Sequence, residues 1–148
     1  MSVSKIEVDD LGLKVLREGN LVYVQNSSHR INVPLLDQDF ALFMGLLWGD
    51  GCISNRASKS WRIDFVEDDK KLLPFILNLI RGIFGIEAHV YYSENKYEVY
   101  FNSRIVYEIL NQKFGFPDGI KKGKLLLPKQ VMKDKHLLMP FLKGLFST

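Results

Sequence analysis

The spacing of apolar positions switches back and forth between the helical and the extended period, and the switches lay out the chain. Phe40 to Trp48 is almost unbroken apolar sequence and predicts a buried helix, with Asp37 as its N-cap and Gly49-Asp50-Gly51 as its stop. Residues 52–57 and 61–66 then predict a hairpin around Ala57-Ser58-Lys59-Ser60. In its second strand Trp61, Ile63 and Phe65 alternate with Arg62 and Asp64, which gives one apolar and one polar face. Glu67-Asp68-Asp69 supply a cap and first-turn acids for a second helix. Leu72, Leu73, Phe75, Ile76, Leu77, Leu79, Ile80, Ile83 and Phe84 make that helix apolar around much of its circumference, so deep burial is expected. Gly85 ends it, and Pro74 is expected to bend its early turns.

A second hairpin follows, from Ala88 to Tyr92 and from Lys96 to Phe101 about a Ser93-Glu94-Asn95 turn. A third helix capped by Asn102 or Ser103 runs through Phe114 and stops at Gly115-Phe116-Pro117-Asp118-Gly119. Pro128 to Met132 predicts a short helix, and His136 onward a final one. Ahead of all this, Leu13–Arg17 and Leu21–Gln25 flank a Glu18-Gly19-Asn20 turn, and Ile31 to Pro34 is extended. The predicted class is α+β: an αββαββα unit over residues 37–148, with a four-stranded antiparallel sheet and helices on one face. A β-hairpin extension over residues 1–36 precedes it.

Gly45 and Gly49 lie four positions apart, on one face of the first helix. They leave a groove without side chains, where another helix backbone can approach closely. Asp50 sits at the negatively polarised end of the same helix, which disfavours a carboxylate by a few tenths of a kcal/mol or more. A bound divalent cation would relieve that penalty. The plainer alternative is that Asp50-Gly51 is a turn dipeptide ending a core helix. Both readings stand on the residues alone.

Composition narrows the picture little. The chain has 148 residues, 47% hydrophobic and 25% charged, which suits one globular domain. The net charge of +3 is mildly basic and permits nucleic-acid binding without demanding it. A single cysteine, Cys52, excludes an intrachain disulfide and a cysteine-based zinc cluster, and His29, His89 and His136 have no zinc-ligand spacing. No apolar run reaches the roughly 20 residues a bilayer span needs, and acids and Lys5 interrupt the N-terminus. An intracellular, non-secreted protein with no membrane partner is expected.

Phe43-Met44-Gly45-Leu46-Leu47-Trp48-Gly49-Asp50-Gly51 resembles the first signature motif of the LAGLIDADG homing endonucleases, in the form seen in intein-type members. Trp48 stands where the motif has an earlier, non-catalytic acid. Leu142 to Thr148 resembles the opening of a second motif helix, with Gly144 and Thr148 repeating the spacing of Gly45 and Gly49. Counted from the glycines, the second acid would follow Thr148.

The resemblance implies hydrolysis of double-stranded DNA with Mg²⁺ held by Asp50 and the Gly49 carbonyl, and with Arg104 or Lys96 as a basic helper. It implies that the polar sheet face meets DNA. The candidate contacts are Ser54, Asn55, Arg56, Ser58, Lys59, Arg62, Asp64, Tyr91, Ser93, Asn95, Lys96, Glu98 and Tyr100. The alternative is an ordinary solvated face. Gly45, Gly49, Gly144 and Thr148 are the candidate helix interface. It serves either a homodimer joining two copies of Asp50 or the packing of the tail on its own motif helix in a truncated, inactive remnant. An RNA-splicing cofactor is a third reading. Residues 1–36 are either an added DNA-contacting arm or a small sheet packed on the main domain.

Overall fold

The N-terminal residues form more sheet than a single hairpin. The computed structural model describes residues 3–55, 60–119 and 126–147. Strands β1 (Ser4–Lys5), β2 (Val15–Glu18), β3 (Leu21–Val24), β4 (Ile31–Asn32) and β5 (Leu35–Leu36) precede the first long helix. β2, β3 and β4 make a three-stranded antiparallel sheet, turned at Gly19 with φ 63°, while β1 pairs with β5. Ile6, Val8, Leu11, Val22 and Ile31 join the same buried cluster as the helices. Gln112 Nε2 donates to the Leu11 carbonyl and Lys113 pairs with Asp10, fastening this region to the rest.

Helix α1 (Gln38–Asp50) begins where Asp37 accepts from the Phe40 N–H at 2.9 Å. Phe40, Phe43, Met44, Leu47 and Trp48 are fully or nearly fully buried, each side chain contributing about 1.5–3 kcal/mol. The helix passes directly into β6 (Gly51–Ser54). Any side chain at Gly51 would collide with Leu47, one turn back, so this abrupt exit requires glycine. β7 (Arg62–Glu67) returns antiparallel to β6. A 3₁₀ turn at Lys70–Leu72, capped by Asp69, leads into α2 (Leu73–Phe84), which Gly85 ends in the left-handed region at φ 72°.

Two expectations for α2 fail. It buries one face only, leaving Leu72 just ahead of it and Phe75 within it exposed at 37% and 49%. Pro74 sits in the first turn, where its missing N–H is not needed, and so opens the helix instead of bending it.

β8 (His89–Ser93) and β9 (Lys96–Asn102) form the second hairpin, turned at Glu94 and Asn95, both at positive φ as a two-residue turn favours. The sheet order is β6-β7-β9-β8, antiparallel throughout. α3 (Arg104–Glu108), capped by the Ser103 hydroxyl, widens into a π-helical stretch at Ile109–Lys113, so the third helix is not uniform. α4 (Lys129–Met132) and α5 (Lys135–Phe146) complete the chain; α5 is capped by Asp134 and lies along α1. No helix among the described residues is long and apolar enough to cross a membrane.

Candidate nucleic-acid interface and acidic edge

The pairing register sorts the sheet into two unlike faces. On one, Ile53, Ile63, Phe65, Val99 and Phe101 are buried against the helices. Paired residues on the other are Ser54–Arg62, Asp64–Tyr100, Tyr91–Glu98 and Ser93–Lys96. Strand alternation therefore brings eight of the expected contacts onto a single face, together with His89 and Asn102, which the sequence reading missed. Asn55 and Asn95 lie in the turns: Asn55 Oδ1 accepts from the Trp61 N–H and Asn95 Oδ1 from the Tyr92 hydroxyl. Arg56, Ser58 and Lys59 lie outside the described residues.

These residues are not equally available. Ser54 and Asp64 are buried, so they support the face from within instead of projecting from it. Arg62 is clamped by Glu98 (Nη2 to Oε1, 2.6 Å) and Asp64 (3.5 Å), with its guanidinium 3.9 Å above the Tyr100 ring. Tyr91, Ser93 and Lys96 are exposed. Large aromatic surface beside donors and acceptors, on a twisted antiparallel ribbon, has the form that enters a DNA major groove.

At one end of this face lies the acid. Asp50 is exposed at the C-terminus of α1, whose last turn carries no basic residue. It shares a cleft with Gly49, Gly51, Val66, Glu67, Asp68 and Lys96. Burial pushes the Glu67 carboxyl up, against a hydrogen bond from the Asp68 N–H, and the charges of Asp69, Asp68 and Asp50 push it further. Glu67 was expected as part of a helix cap. It instead ends β7, because the Gly51–Phe65 pairing carries the strand back to the helix end. Counting along that register would have found it.

The cleft offers oxygen donors in a field of like charge, which suits a hard divalent cation that keeps some of its own waters. The fit is partial: among the described residues, no three or more His, Cys, Asp or Glu side chains lie close enough to hold a metal by themselves. Lys96 lines this cleft. Arg104 does not, for it follows the far end of β9 and lies 4.6 Å over the Trp61 ring.

The groove on α1 is filled. A Cβ on Gly45 would overlap the Phe141 carbonyl oxygen and lie 2.9 Å from the Leu145 nitrogen; one on Gly144 would lie 2.5 Å from the Leu42 oxygen and 2.8 Å from the Leu46 nitrogen. Gly144 stands 99 positions after Gly45, and Phe141 and Leu145 stand 99 after Leu42 and Leu46. The contacts are therefore reciprocal, as across a two-fold axis. The surface that either a second copy of the chain or the chain's own tail was expected to meet is covered by its own α5. Thr148 lies outside the described residues, so its pairing with Gly49 is not described.

A family model described as a LAGLIDADG-like domain matches residues 37–115, more than half of the chain. This chain belongs to the LAGLIDADG homing-endonuclease family. The match covers the motif helix and both hairpins but not α5, so the paired glycines add to it independently. Curated proteins gave no match. Membership implies DNA binding, divalent-metal chemistry and the pairing of two such units.

The same offset extends the comparison. Phe40, Phe43 and Leu47, buried in the core, correspond to Met139, Leu142 and Phe146 on α5. Met139 and Phe146 are 66% and 78% exposed, and Leu142 is half-buried.

Proposed function

We propose that this chain is the DNA-reading and acid-bearing part of a site-specific LAGLIDADG endonuclease. The observation that carries the reading is the reciprocal Gly45–Gly144 crossing, which fixes Asp50 at the end of a paired helix, at the edge of the polar sheet face. Tyr91, Ser93, Lys96 and Tyr100 meet base edges and phosphates in the major groove. The Asp50 carboxylate and the Gly49 carbonyl hold a divalent cation, with Mg²⁺ the family's choice. A cation held there would supply the charge that polarises the scissile phosphate and lowers the pKa of an attacking water. Asp50 orients that water, Glu67 adds negative field that strengthens cation binding, and Lys96 stabilises charge growing on the phosphate.

The position related to Asp50 by the two-fold is the one following Thr148. A second αββαββ unit seated on the Met139–Leu142–Phe146 face completes the pair of acids. Support for this comes from the apolar match between that face and the buried face of α1.

The test is nicking of a supercoiled plasmid library with and without Mg²⁺, by the wild type and Asp50→Asn, with light scattering on the same samples. Mg²⁺-dependent nicking lost in the variant supports the reading. Nicking unchanged by Asp50→Asn, or duplex DNA left unbound by the wild type, sinks it.

A second reading is DNA or RNA binding without cleavage, as in a splicing cofactor. It is favoured by the acidic edge, where among the described residues no three or more His, Cys, Asp or Glu side chains lie close enough to hold a metal. Binding of duplex DNA or structured RNA that neither Mg²⁺ nor Asp50→Asn alters would establish it.

A further inference from the structure

We infer that the segment from Gln25 to Arg30, together with Arg104, forms a second contact that grips the phosphate backbone of duplex DNA at the end of the sheet farthest from Asp50. The inference rests on the DNA-binding reading above and extends it to the segment over residues 25–30, which lies outside the family match.

Two clefts carry it. One, of about 310 Å³, is lined by Gln25, Ser27, His29, Trp61, Asn102 and Arg104 among others, and none of its lining residues is acidic. The other, of about 320 Å³, lies between Arg30 and His89 and shares His29 and Asn102 with the first. Asn102 and His89 belong to the polar sheet face, so the N-terminal segment continues that face without a break. In the second cleft the acid Glu87 is held by Arg81 at 2.6 and 2.7 Å, which reduces its repulsion of an anion.

Arg104 is pre-set for such a role. Its guanidinium stacks over Trp61, whose ring also packs on Tyr107 at 5.2 Å. Trp61 is held at φ 54°, a conformation non-glycine residues rarely adopt. Three hydrogen bonds keep it there: Asn55 Oδ1 accepts from Trp61 N, Trp61 O accepts from Ser103 N, and Asn102 Nδ2 donates to Ser60 O. A strained backbone fixed from both sides, beneath an exposed arginine, marks a built feature and not a loose loop. An arginine beside amide, imidazole and hydroxyl donors, with no acid lining that cleft, fits a phosphodiester.

Spacing agrees with the proposed cutting edge. From Glu67 to Arg62 is five residues of strand, about 17 Å at 3.3 Å each. That corresponds to roughly five base pairs of duplex at 3.4 Å per step. The N-terminal segment therefore lengthens the contacted site beyond the sheet.

The experiment is a salt titration of binding to a fluorescent 40-base-pair mixed-sequence duplex, for wild type, Arg104→Gln, Arg104→Lys and His29→Glu, each checked by thermal melting. Arg104→Gln is expected to weaken binding several-fold and to make the slope of log K against log salt shallower by about 0.9, one phosphate's share. Arg104→Lys should keep the slope, and His29→Glu, in an exposed loop, should weaken binding without lowering the melting temperature. Wild-type binding with an unaltered slope in Arg104→Gln and unaltered affinity in His29→Glu overturns this inference alone. A wild type that binds no duplex overturns the DNA-binding reading with it.

Discussion

Gly45 of α1 and Gly144 of α5 lie against each other across the helix crossing, each facing the backbone of the other helix. The helices touch main chain to main chain, so no side-chain rearrangement can make room for an added methyl group. Gly144→Ala is expected to cost about 2–3 kcal/mol or more. That corresponds to a melting temperature lower by roughly 5–10 °C for a chain of this size. Gly82→Ala is the control: nothing lies within 4 Å of its added Cβ, and it should stabilise the helix by about 0.5–1 kcal/mol. Equal melting temperatures for the two variants would disprove the close crossing.

Arg62 should act as a structural residue of the sheet face before it acts as a reader of DNA. Lysine cannot reach Glu98 and Asp64 and cover Tyr100 at once. Arg62→Lys is therefore expected to lose about 1–2 kcal/mol in urea unfolding. A neutral result would show the guanidinium to be loosely held.

Asp50 and Glu67 should together mark the cation site. Mn²⁺ titrated into labelled protein is expected to broaden the amide resonances of Gly51 and Asp68 first. Asp50→Asn should abolish the effect, and Glu67→Gln should shift it to higher Mn²⁺ concentration. Broadening that survives Asp50→Asn would place the ion elsewhere.

The Asp10–Lys113 pair joins the N-terminal sheet to the π-helical stretch. The Lys113 hydrogen bond, with its charge, holds the Asp10 carboxyl below its ordinary value. A depressed acid adds stability that is present above the unfolded pKa and lost as pH falls through the folded one. Wild type should therefore exceed Asp10→Asn in urea midpoint at about pH 6. The two should converge as pH drops from about 4 toward 2. A constant difference across that range would rule the pair out as its source.

Much of the fold was legible because local signals and long-range pairing agree. Asp37, Asp69, Ser103 and Asp134 each precede a periodic apolar stretch, and each accepts the capping hydrogen bond. Strand alternation alone put Arg62 and Asp64 opposite Ile63 and Phe65, and the register extended that division to the second hairpin. Cross-chain juxtapositions were not legible. Nothing local distinguishes Glu67 as a neighbour of Asp50 from Glu67 as a helix cap. Arg104, at the start of the third helix, was a candidate for the basic helper that the resemblance implies. Its actual place beside Trp61 depends on an unusual backbone angle that no residue pattern announces. The exposure of Phe75 was equally hidden, since apolar content says how much of a helix wants cover and not how much receives it.

The passage from α1 into β6 takes place across one peptide bond, between Asp50 and Gly51. In the proposed enzyme, the group that addresses the phosphate is thus joined without a linker to the edge of the sheet whose other strands, β9 and β8, touch bases. The distance along the duplex between where sequence is sensed and where the strand is broken becomes a built-in ruler. An enzyme made this way can change its target sequence by exchanging face residues, yet it keeps its cutting position relative to that target.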